Sequence, residues 1–275
     1  LHFIKSLKPG KGKGAIILPH GVLFRGNVEG EIRKNIVKRG LIKGIIGLPP
    51  NLFYGTGIPA SIIVIDKEGA EERKGIFIID ASKGFMKDGN KNRLRERDIH
   101  KIVDVFRNME EIPGYSRFVS NEEIEENDYN LNIPRYIDSQ EKEDIQDIRA
   151  HLYGGIPNRD IDELEKYWTA YPSLKDELFS PAGMEGYSKL NVEIDDIKST
   201  IFNNKEFIEY SNMIKNILNG WSNKHIPLLR TIDKETKPKE LIHQISEDLL
   251  DRFKDSLLID KYDVYQYLMD YWLET

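Results

Sequence analysis

A segment between residues 44 and 65, GIIGLPPNLFYGTGIPASIIVI, places the strongest constraint on what this chain can fold into. Residues 45–48 and 62–65 are mainly branched aliphatic side chains, and each run has the length of a β-strand. Proline and glycine interrupt the sequence between them, and neither residue suits the middle of a sheet. The segment therefore predicts two neighbouring strands joined by a stiff loop that holds Pro49, Pro50, Gly55, Gly57 and Pro59.

The same loop carries an aromatic pair, Phe53 and Tyr54. Gly55 and Gly57 can adopt positive φ and can let another molecule approach the backbone closely. An aromatic ring held on such a loop can stack on a nucleobase, an interaction worth about 1–3 kcal/mol per base. Phe53 could instead fold back under its own loop as a hydrophobic plug, because apolar side chains usually lie inside. The loop by itself leaves both interpretations open.

Strand and helix patterns alternate through the first half of the chain. The patterns predict strands at residues 15–18, 45–48, 62–65 and 76–79, and helices at about 28–39, 98–108 and 120–126. Ser120 and Glu123 form the sequence signature of a helix capping box. This alternation indicates the α/β fold class, and specifically the trailing part of a doubly wound, Rossmann-like sheet.

From Ser139 onward the sequence becomes charged and helix-periodic, with breaks rich in glycine and proline. We therefore predict an α/β domain at residues 1–138 and a separate α-helical region at residues 139–275. Within that region, YDVYQYLMDYWL at residues 262–273 has a wide apolar face. The face either packs inside the helical region or docks on a partner helix, because Tyr, Trp and Met are enriched at interface cores.

Charge is distributed unevenly along the chain. Residues 1–110 contain 21 Lys and Arg against 12 Asp and Glu, whereas the remaining residues contain 19 against 34. The basic half suggests a surface that faces a polyanion. Its densest part follows Asp80, where we predict a mobile cationic loop carrying Lys83, Lys87, Lys91, Arg93, Arg95 and Arg97.

Other classes of protein and site are disfavoured. The chain has no cysteine, which excludes disulfides and thiolate chemistry, and its six scattered histidines do not predict a metal site. No apolar run reaches the roughly 18 residues of a membrane helix, and no signal peptide is recognisable, so we expect a soluble, cytoplasmic protein. Gly10–Gly14 superficially resembles a phosphate loop but precedes a strand, which favours a plain turn. The uncapped helical spacing of residues 1–7 suggests that an upstream part is missing.

Three motifs occur in one order: GVLFRGNVEGEIRK at residues 21–34, IIGLPPNLFYGTGIPASIIVI at 45–65 and NDYNLNIPRYID at 127–138. Together they resemble the modification subunit of type I restriction-modification systems over most of residues 1–170. The resemblance implies a DNA adenine methyltransferase that uses S-adenosylmethionine and methylates the exocyclic amine of a flipped adenine. It also implies DNA, a specificity subunit and a restriction subunit as partners.

The resemblance implies roles for individual residues. It implies that Phe53, with Tyr54 as the alternative, stacks on the flipped base. Lys91, Arg93 and Arg95 are then expected to contact the DNA backbone, which positions the duplex without reading its sequence.

The chain also departs from the family pattern. The family's glycine-rich cofactor loop and its Asn-Pro-Pro-aromatic motif lie upstream of Leu1 in the family order, and Leu48-Pro49-Pro50-Asn51 is not that motif. We therefore expect no catalytic or cofactor-binding residue here, and no methylation by this chain alone. Two alternatives stay open: a non-catalytic module that binds a specificity subunit, and a related methyltransferase that acts on RNA or protein.

Overall fold

The computed structural model describes residues 1–139 and 146–274. The chain divides into two compact units, Leu1–Lys142 and Glu143–Thr275. The composition places the change a few residues earlier, between residues 138 and 139.

The first unit is built on seven strands among its described residues. They are β1 (Lys13–Pro19), β2 (Ile42–Gly47), β3 (Ala60–Asp66), β4 (Gly75–Asp80), β5 (Met86–Asp88), β6 (Lys91–Arg93) and β7 (Ser116–Ser120). Five of them form one sheet in the order β1-β3-β2-β4-β7, and β5 and β6 form a separate two-stranded hairpin.

Strand direction decides where the loops of this sheet gather. The strands β2 and β4 pair in parallel, whereas β3 lies antiparallel between β1 and β2. The strands β1, β2 and β4 therefore run in one direction, and their carboxyl ends lie along one edge of the sheet. The predicted hairpin of β2 and β3 and the α/β class are both confirmed, although pairing in the sheet is mostly antiparallel.

Helices cover both faces of the sheet. They are α1 (His2–Ser6), α2 (Asn27–Lys38), α3 (Glu96–Asn108) and α4 (Asn121–Glu126). On one face Val37 of α2 and Ile124 of α4 join a core with Ile45 and Ile78, and on the other Val105 of α3 packs with the second hydrophobic cluster. The predicted cap at Ser120 is present, since the Glu123 amide donates to Ser120 Oγ at 3.2 Å, but the Glu123 carboxylate accepts from Arg117 at 2.8 Å and so forms an ion pair with it.

The segment NDYNLNIPRYI closes the first of these cores. Arg33 is buried, and its Nε donates to the Tyr129 carbonyl at 2.7 Å while its Nη1 donates to the Arg25 carbonyl at 2.8 Å. Burial raises the pKa of Tyr136 to about 12, so the phenol stays neutral and donates to the Asn130 carbonyl at 2.5 Å. The amides and aromatics of this motif thus hold the chain across the sheet.

The second unit is mainly helical. Its helices are α5 (Ile148–Tyr153), α6 (Asn158–Asp162), α7 (Glu165–Ala170), α8 (Pro172–Leu178), α9 (Ile197–Asn203), α10 (Lys205–Leu229), α11 (Pro238–Phe253) and α12 (Lys261–Glu274). A small antiparallel sheet that the sequence does not predict accompanies them, in the order β8 (Ile156–Pro157), β10 (Tyr187–Leu190) and β9 (Phe179–Pro181). None of the helices in the described part of the chain is long and apolar enough to cross a membrane.

A polar cluster joins the two longest helices of this unit. Asp248 of α11 accepts hydrogen bonds from Lys224 Nζ at 2.6 Å and Arg252 Nε at 2.8 Å, and its Oδ2 lies 2.9 Å from the buried Nε2 of His225 on α10. Burial opposes ionisation of the carboxyl, but hydrogen bonds from Lys224, His225 and Arg252 outweigh it and hold the pKa of Asp248 well below its usual range. The carboxylate therefore stays charged and connects α10 to α11.

We predict that Asp248→Asn lowers the free energy of unfolding of the second unit by about 2–3 kcal/mol at pH 7, because two cationic partners lose a charged acceptor. A carboxyl whose pKa is depressed by folding stabilises the folded state at pH values above its unfolded pKa of about 3.9. This stabilisation is lost progressively as the pH falls below that value. The parent should therefore lose stability below about pH 4, and this loss should be smaller in the variant.

Urea denaturation followed by tryptophan fluorescence measures both effects, since Trp168, Trp221 and Trp272 all lie in this unit. Asp251→Asn is the matched control, because Asp251 pairs with Lys254 on the exposed surface of α11. Equal losses in the two variants would contradict a special role for Asp248.

Candidate functional site

The loop between β2 and β3, residues 48–59, lies at the sheet edge where β2 and β4 end, and we call it the aromatic loop. Its base is closed by the Leu48 amide, which donates to the Ala60 carbonyl at 2.9 Å. Asn51 and Gly55 have positive φ, at 57° and 78°. Gly57 does not need positive φ, but a β-carbon there would lie 3.0 Å from Asn51 Oδ1. Positions 51 and 55 therefore require residues that tolerate positive φ, whereas glycine at position 57 leaves room for the Asn51 side chain.

The aromatic pair points away from the core. Phe53 is 40% exposed and Tyr54 is 93% exposed. Leu48, at the start of the loop, belongs to the second hydrophobic cluster, and Leu52 packs against the same cluster. Leu52 therefore anchors the loop, and the interpretation of Phe53 as a buried plug does not describe this structure.

The basic segment after Asp80 is more ordered than the sequence suggests. In place of the expected mobile loop, β5 and β6 pair antiparallel, with Lys87 opposite Asn92 and Asp88 opposite Lys91. The turn between them includes Gly89, whose φ is 58°. We call residues 86–93 the basic hairpin.

Three hydrogen bonds join the basic hairpin to the aromatic loop. The Asn92 amide donates to the Asn51 carbonyl at 3.0 Å, and Asn92 Nδ2 donates to the Pro50 carbonyl at 2.7 Å. Lys91 Nζ donates to the Phe53 carbonyl at 2.7 Å and lies 5.8 Å from the centre of the Tyr54 ring. The sequence places the loop and the basic run some 30 residues apart, and the fold brings them together.

Asn92 is a site residue that sequence reasoning misses. Its side chain is buried, at 4% exposure, within a run of cations. A polar residue inside a basic run is ordinarily read as part of a solvated surface. No pattern in the sequence distinguishes Asn92 from Asn90, which lies exposed at the turn of the same hairpin.

The predicted backbone-binding cations differ in availability. The Arg93 side chain is 60% exposed, with its Nε 3.7 Å from the Asp88 carboxylate. Arg95 instead donates from Nε and Nη2 to the two oxygens of Asp98, at 2.8 and 3.0 Å, and forms the capping box of α3. Lys91 therefore lies against the aromatic loop and Arg93 is exposed on the hairpin, whereas Arg95 forms a helix cap, a geometry that gives no support to its predicted phosphate contact.

Polar groups also lie under the aromatic loop at the same edge. The His20 amide donates to the Pro59 carbonyl at 3.0 Å. Burial lowers the pKa of His20, and the nearby Asp80 opposes this only in part, so the ring stays neutral at neutral pH. The two Asp80 oxygens accept from the Ser82 amide and from Ser139 Oγ, at 3.0 and 2.6 Å. These groups hold the ends of β1 and β4 beside the loop.

The glycine-rich turn at Gly10–Gly14 serves packing. A β-carbon on Gly12 would lie 2.6 Å from the Lys8 carbonyl oxygen, and one on Gly14 would lie 2.6 Å from the Phe3 ring. The glycines thus let α1 lie close to the start of β1. This geometry agrees with the interpretation of the segment as a plain turn.

Comparisons with a family model and with known proteins indicate the same family. Residues 1–145 match the N-6 DNA Methylase family. The chain is 49% identical over 145 residues to the type I restriction enzyme MjaVII methylase subunit of Methanocaldococcus jannaschii, covering 51% of this chain and 25% of the relative. It is 34% identical over 154 residues to the MpnII methylase subunit of Mycoplasma pneumoniae, covering 56% of this chain and 27% of the relative.

A solved structure, the methyltransferase subunit of a type I restriction-modification system from Streptococcus thermophilus, is 46% identical. The match covers 50% of this chain and 29% of that chain, with a TM-score of 0.46. The chain spans about a quarter of the length of the two curated relatives above. Since the family match covers more than half of its residues, the chain belongs to the N-6 DNA Methylase family.

Proposed function

We propose that this chain supplies the DNA-facing part of a type I restriction-modification methyltransferase, which transfers a methyl group from S-adenosylmethionine to the exocyclic amine of a flipped adenine. The observation that carries the proposal is the exposed aromatic pair, Phe53 and Tyr54, on a loop tied to a basic hairpin. Family membership and the names of the relatives support the reaction class. A cytoplasmic location is part of the same proposal.

In this proposal Phe53 acts on the base after it leaves the duplex. Extruding an adenine costs a few kcal/mol, because stacking and pairing are lost. The Phe53 ring is partly exposed at the sheet edge and can recover part of this cost by stacking on the purine. Tyr54, which is almost fully exposed and lies near the Lys91 ammonium, is placed to guide the base or the adjacent backbone.

The basic hairpin acts on the DNA backbone. The Arg93 guanidinium is exposed, and the Lys91 ammonium keeps two donors after its bond to the Phe53 carbonyl. Both cations can therefore contact phosphate while the hairpin stays attached to the loop. Such contacts fix the register of the duplex and do not read its sequence.

The described residues do not fit a complete cofactor site. A methyl-donor site of the doubly wound type needs a glycine-rich turn between a strand and a helix. The glycine-rich segment Gly10–Gly14 leads into β1 and does not open a helix, and the space beside Gly12 and Gly14 is occupied by Leu7 and Phe3. In the proposal this chain therefore contacts the base and the phosphate backbone of the DNA substrate, and S-adenosylmethionine is held by other residues of the complete enzyme.

We further propose that the second unit docks on the specificity subunit of the complex, with the restriction subunit joining the same assembly. Tyr262, Tyr265 and Met269 of α12 pack inside the unit. Tyr267, Tyr271 and Leu273 remain exposed, at 77%, 60% and 73%. The helix thus uses one apolar face for its own core and leaves an aromatic face for a partner.

We expect Phe53→Ala to lower kcat/KM of the assembled methyltransferase by about 5- to 150-fold, the equivalent of one lost stacking interaction. The fluorescence of 2-aminopurine at the target adenine should change in parallel, because this probe reports stacking. Ile58→Ala, at an exposed position of the same loop, is the control and should retain activity. Unchanged turnover and fluorescence in Phe53→Ala would exclude the stacking role and leave the scaffold alternative.

Arg93→Gln and Arg95→Gln should separate DNA contact from helix capping. Loss of one phosphate contact should reduce the slope of log K against log salt by about 0.9 in Arg93→Gln. Arg95→Gln should keep the parent slope and lower the free energy of unfolding by about 1–2 kcal/mol, because Asp98 loses the two hydrogen bonds from the Arg95 guanidinium. Fluorescence anisotropy at several salt concentrations and urea denaturation measure the two effects. A reduced slope in Arg95→Gln would show that Arg95 does contact the DNA backbone.

The partner surface is tested by the double variant Tyr267→Ser, Tyr271→Ser in the full chain. We expect it to lose co-purification with a specificity subunit while its far-UV circular dichroism spectrum keeps the parent shape, because Tyr267 and Tyr271 are exposed on α12. Tyr153→Ser is the matched control, since Tyr153 on α5 is also 77% exposed. Retained binding by the double variant would rule out this face of α12.

A further inference from the structure

The contacts between the basic hairpin and the aromatic loop are concentrated just before and at Phe53. The hairpin donates to three carbonyls within four consecutive residues, those of Pro50, Asn51 and Phe53. Two of these three bonds come from Asn92 and the third from its neighbour Lys91. The position of Phe53 thus depends on the hairpin as well as on the strands that flank the loop.

The hairpin contacts the loop at its turn. Asn51 has φ of 57°, in the left-handed region that asparagine adopts more readily than most other non-glycine residues. Its carbonyl accepts the Asn92 amide, and the preceding carbonyl accepts Asn92 Nδ2, so the turn at Asn51 is held by the backbone amide and the side chain of Asn92. Gly57 leaves room for the Asn51 side chain, which makes the same arrangement sterically possible.

Asn92 is poorly explained by packing alone. Its Oδ1 atom is buried and has no hydrogen-bond partner among the described residues. Burying an unpaired amide oxygen costs stability, and an aliphatic residue would avoid that cost. The feature that an aliphatic residue cannot replace is the Nδ2 donor to the Pro50 carbonyl.

We propose that Asn92 is a positioning residue that holds residues 50–53 so that Phe53 meets the extruded base, and that it couples phosphate contact at Lys91 and Arg93 to base stacking. This inference rests on the proposed function of Phe53. The ligand is duplex DNA with an extruded purine: the hairpin binds the phosphates, and Asn92 transmits the position of the hairpin to the loop. Asn92 itself does not touch the base.

The test compares Asn92→Asp with Asn90→Asp in the assembled methyltransferase. Both variants add one negative charge to the same hairpin, but only the first replaces the donor that faces the Pro50 carbonyl with an acceptor. The two should weaken DNA binding to the same extent. Asn92→Asp alone should lower kcat by tenfold or more and reduce the 2-aminopurine signal at the target position.

Two further variants keep the result interpretable. Asn92→Leu removes the donor without adding charge, and it replaces Asn92→Asp if the latter does not fold. In a Phe53→Ala background, replacement of Asn92 should cause no further loss of kcat, since the residue acts through Phe53.

Equal kcat and equal base signal in the Asn92 and Asn90 variants would overturn the inference. So would a loss of kcat that is undiminished in the Phe53→Ala background, because Asn92 would then act independently. If Phe53→Ala itself has no effect, the proposed stacking function fails first. If Phe53→Ala impairs turnover and the Asn92 variants do not, only the positioning role is lost.

Discussion

The placement of β3 between β1 and β2 is the constraint on which the first unit depends. Because β3 is antiparallel to both neighbours, β1 and β2 run in the same direction as β4. The connection from β2 to β3 must therefore turn back at the edge where β1 and β4 also end. This one pairing arrangement brings the aromatic loop, His20 and Asp80 to the same edge of the sheet.

The energetic organisation of the unit follows from the burial of this sheet. All six residues of β4 are buried, since helices cover both faces, whereas β1 alternates between exposed and partly buried residues at the edge. The irregular segments that cross the buried faces must then satisfy their backbone groups internally. Arg33 does this for the carbonyls of Arg25 and Tyr129, and Asn92 does it for two carbonyls of the aromatic loop. The side chains of Arg33 and Asn92 thus satisfy backbone carbonyls that lie next to an apolar core.

The exposure of Phe53 and the attachment of the aromatic loop both favour the proposed stacking on a base. A freely moving loop would lose more conformational entropy when its aromatic ring stacks on a ligand. A loop fully packed into the core would have no ring to offer. Leu52 anchors the aromatic loop in the core, the basic hairpin holds its backbone, and Phe53 remains partly exposed. Binding by such a loop requires little further ordering.

The local elements follow from the amino-acid sequence alone, because hydrophobic period, proline and glycine act over a few residues. The sequence predicted the strands around residues 44–65, the helix before them, the N-cap at Ser120 and the α/β class, and its motifs identified the family. The tertiary structure decided which side chains share an environment. It separated Leu52 from Phe53 and joined Asn92 to a loop about 40 residues earlier through hydrogen bonds. Those outcomes depend on contacts distant in sequence, and no local pattern of residue types encodes them.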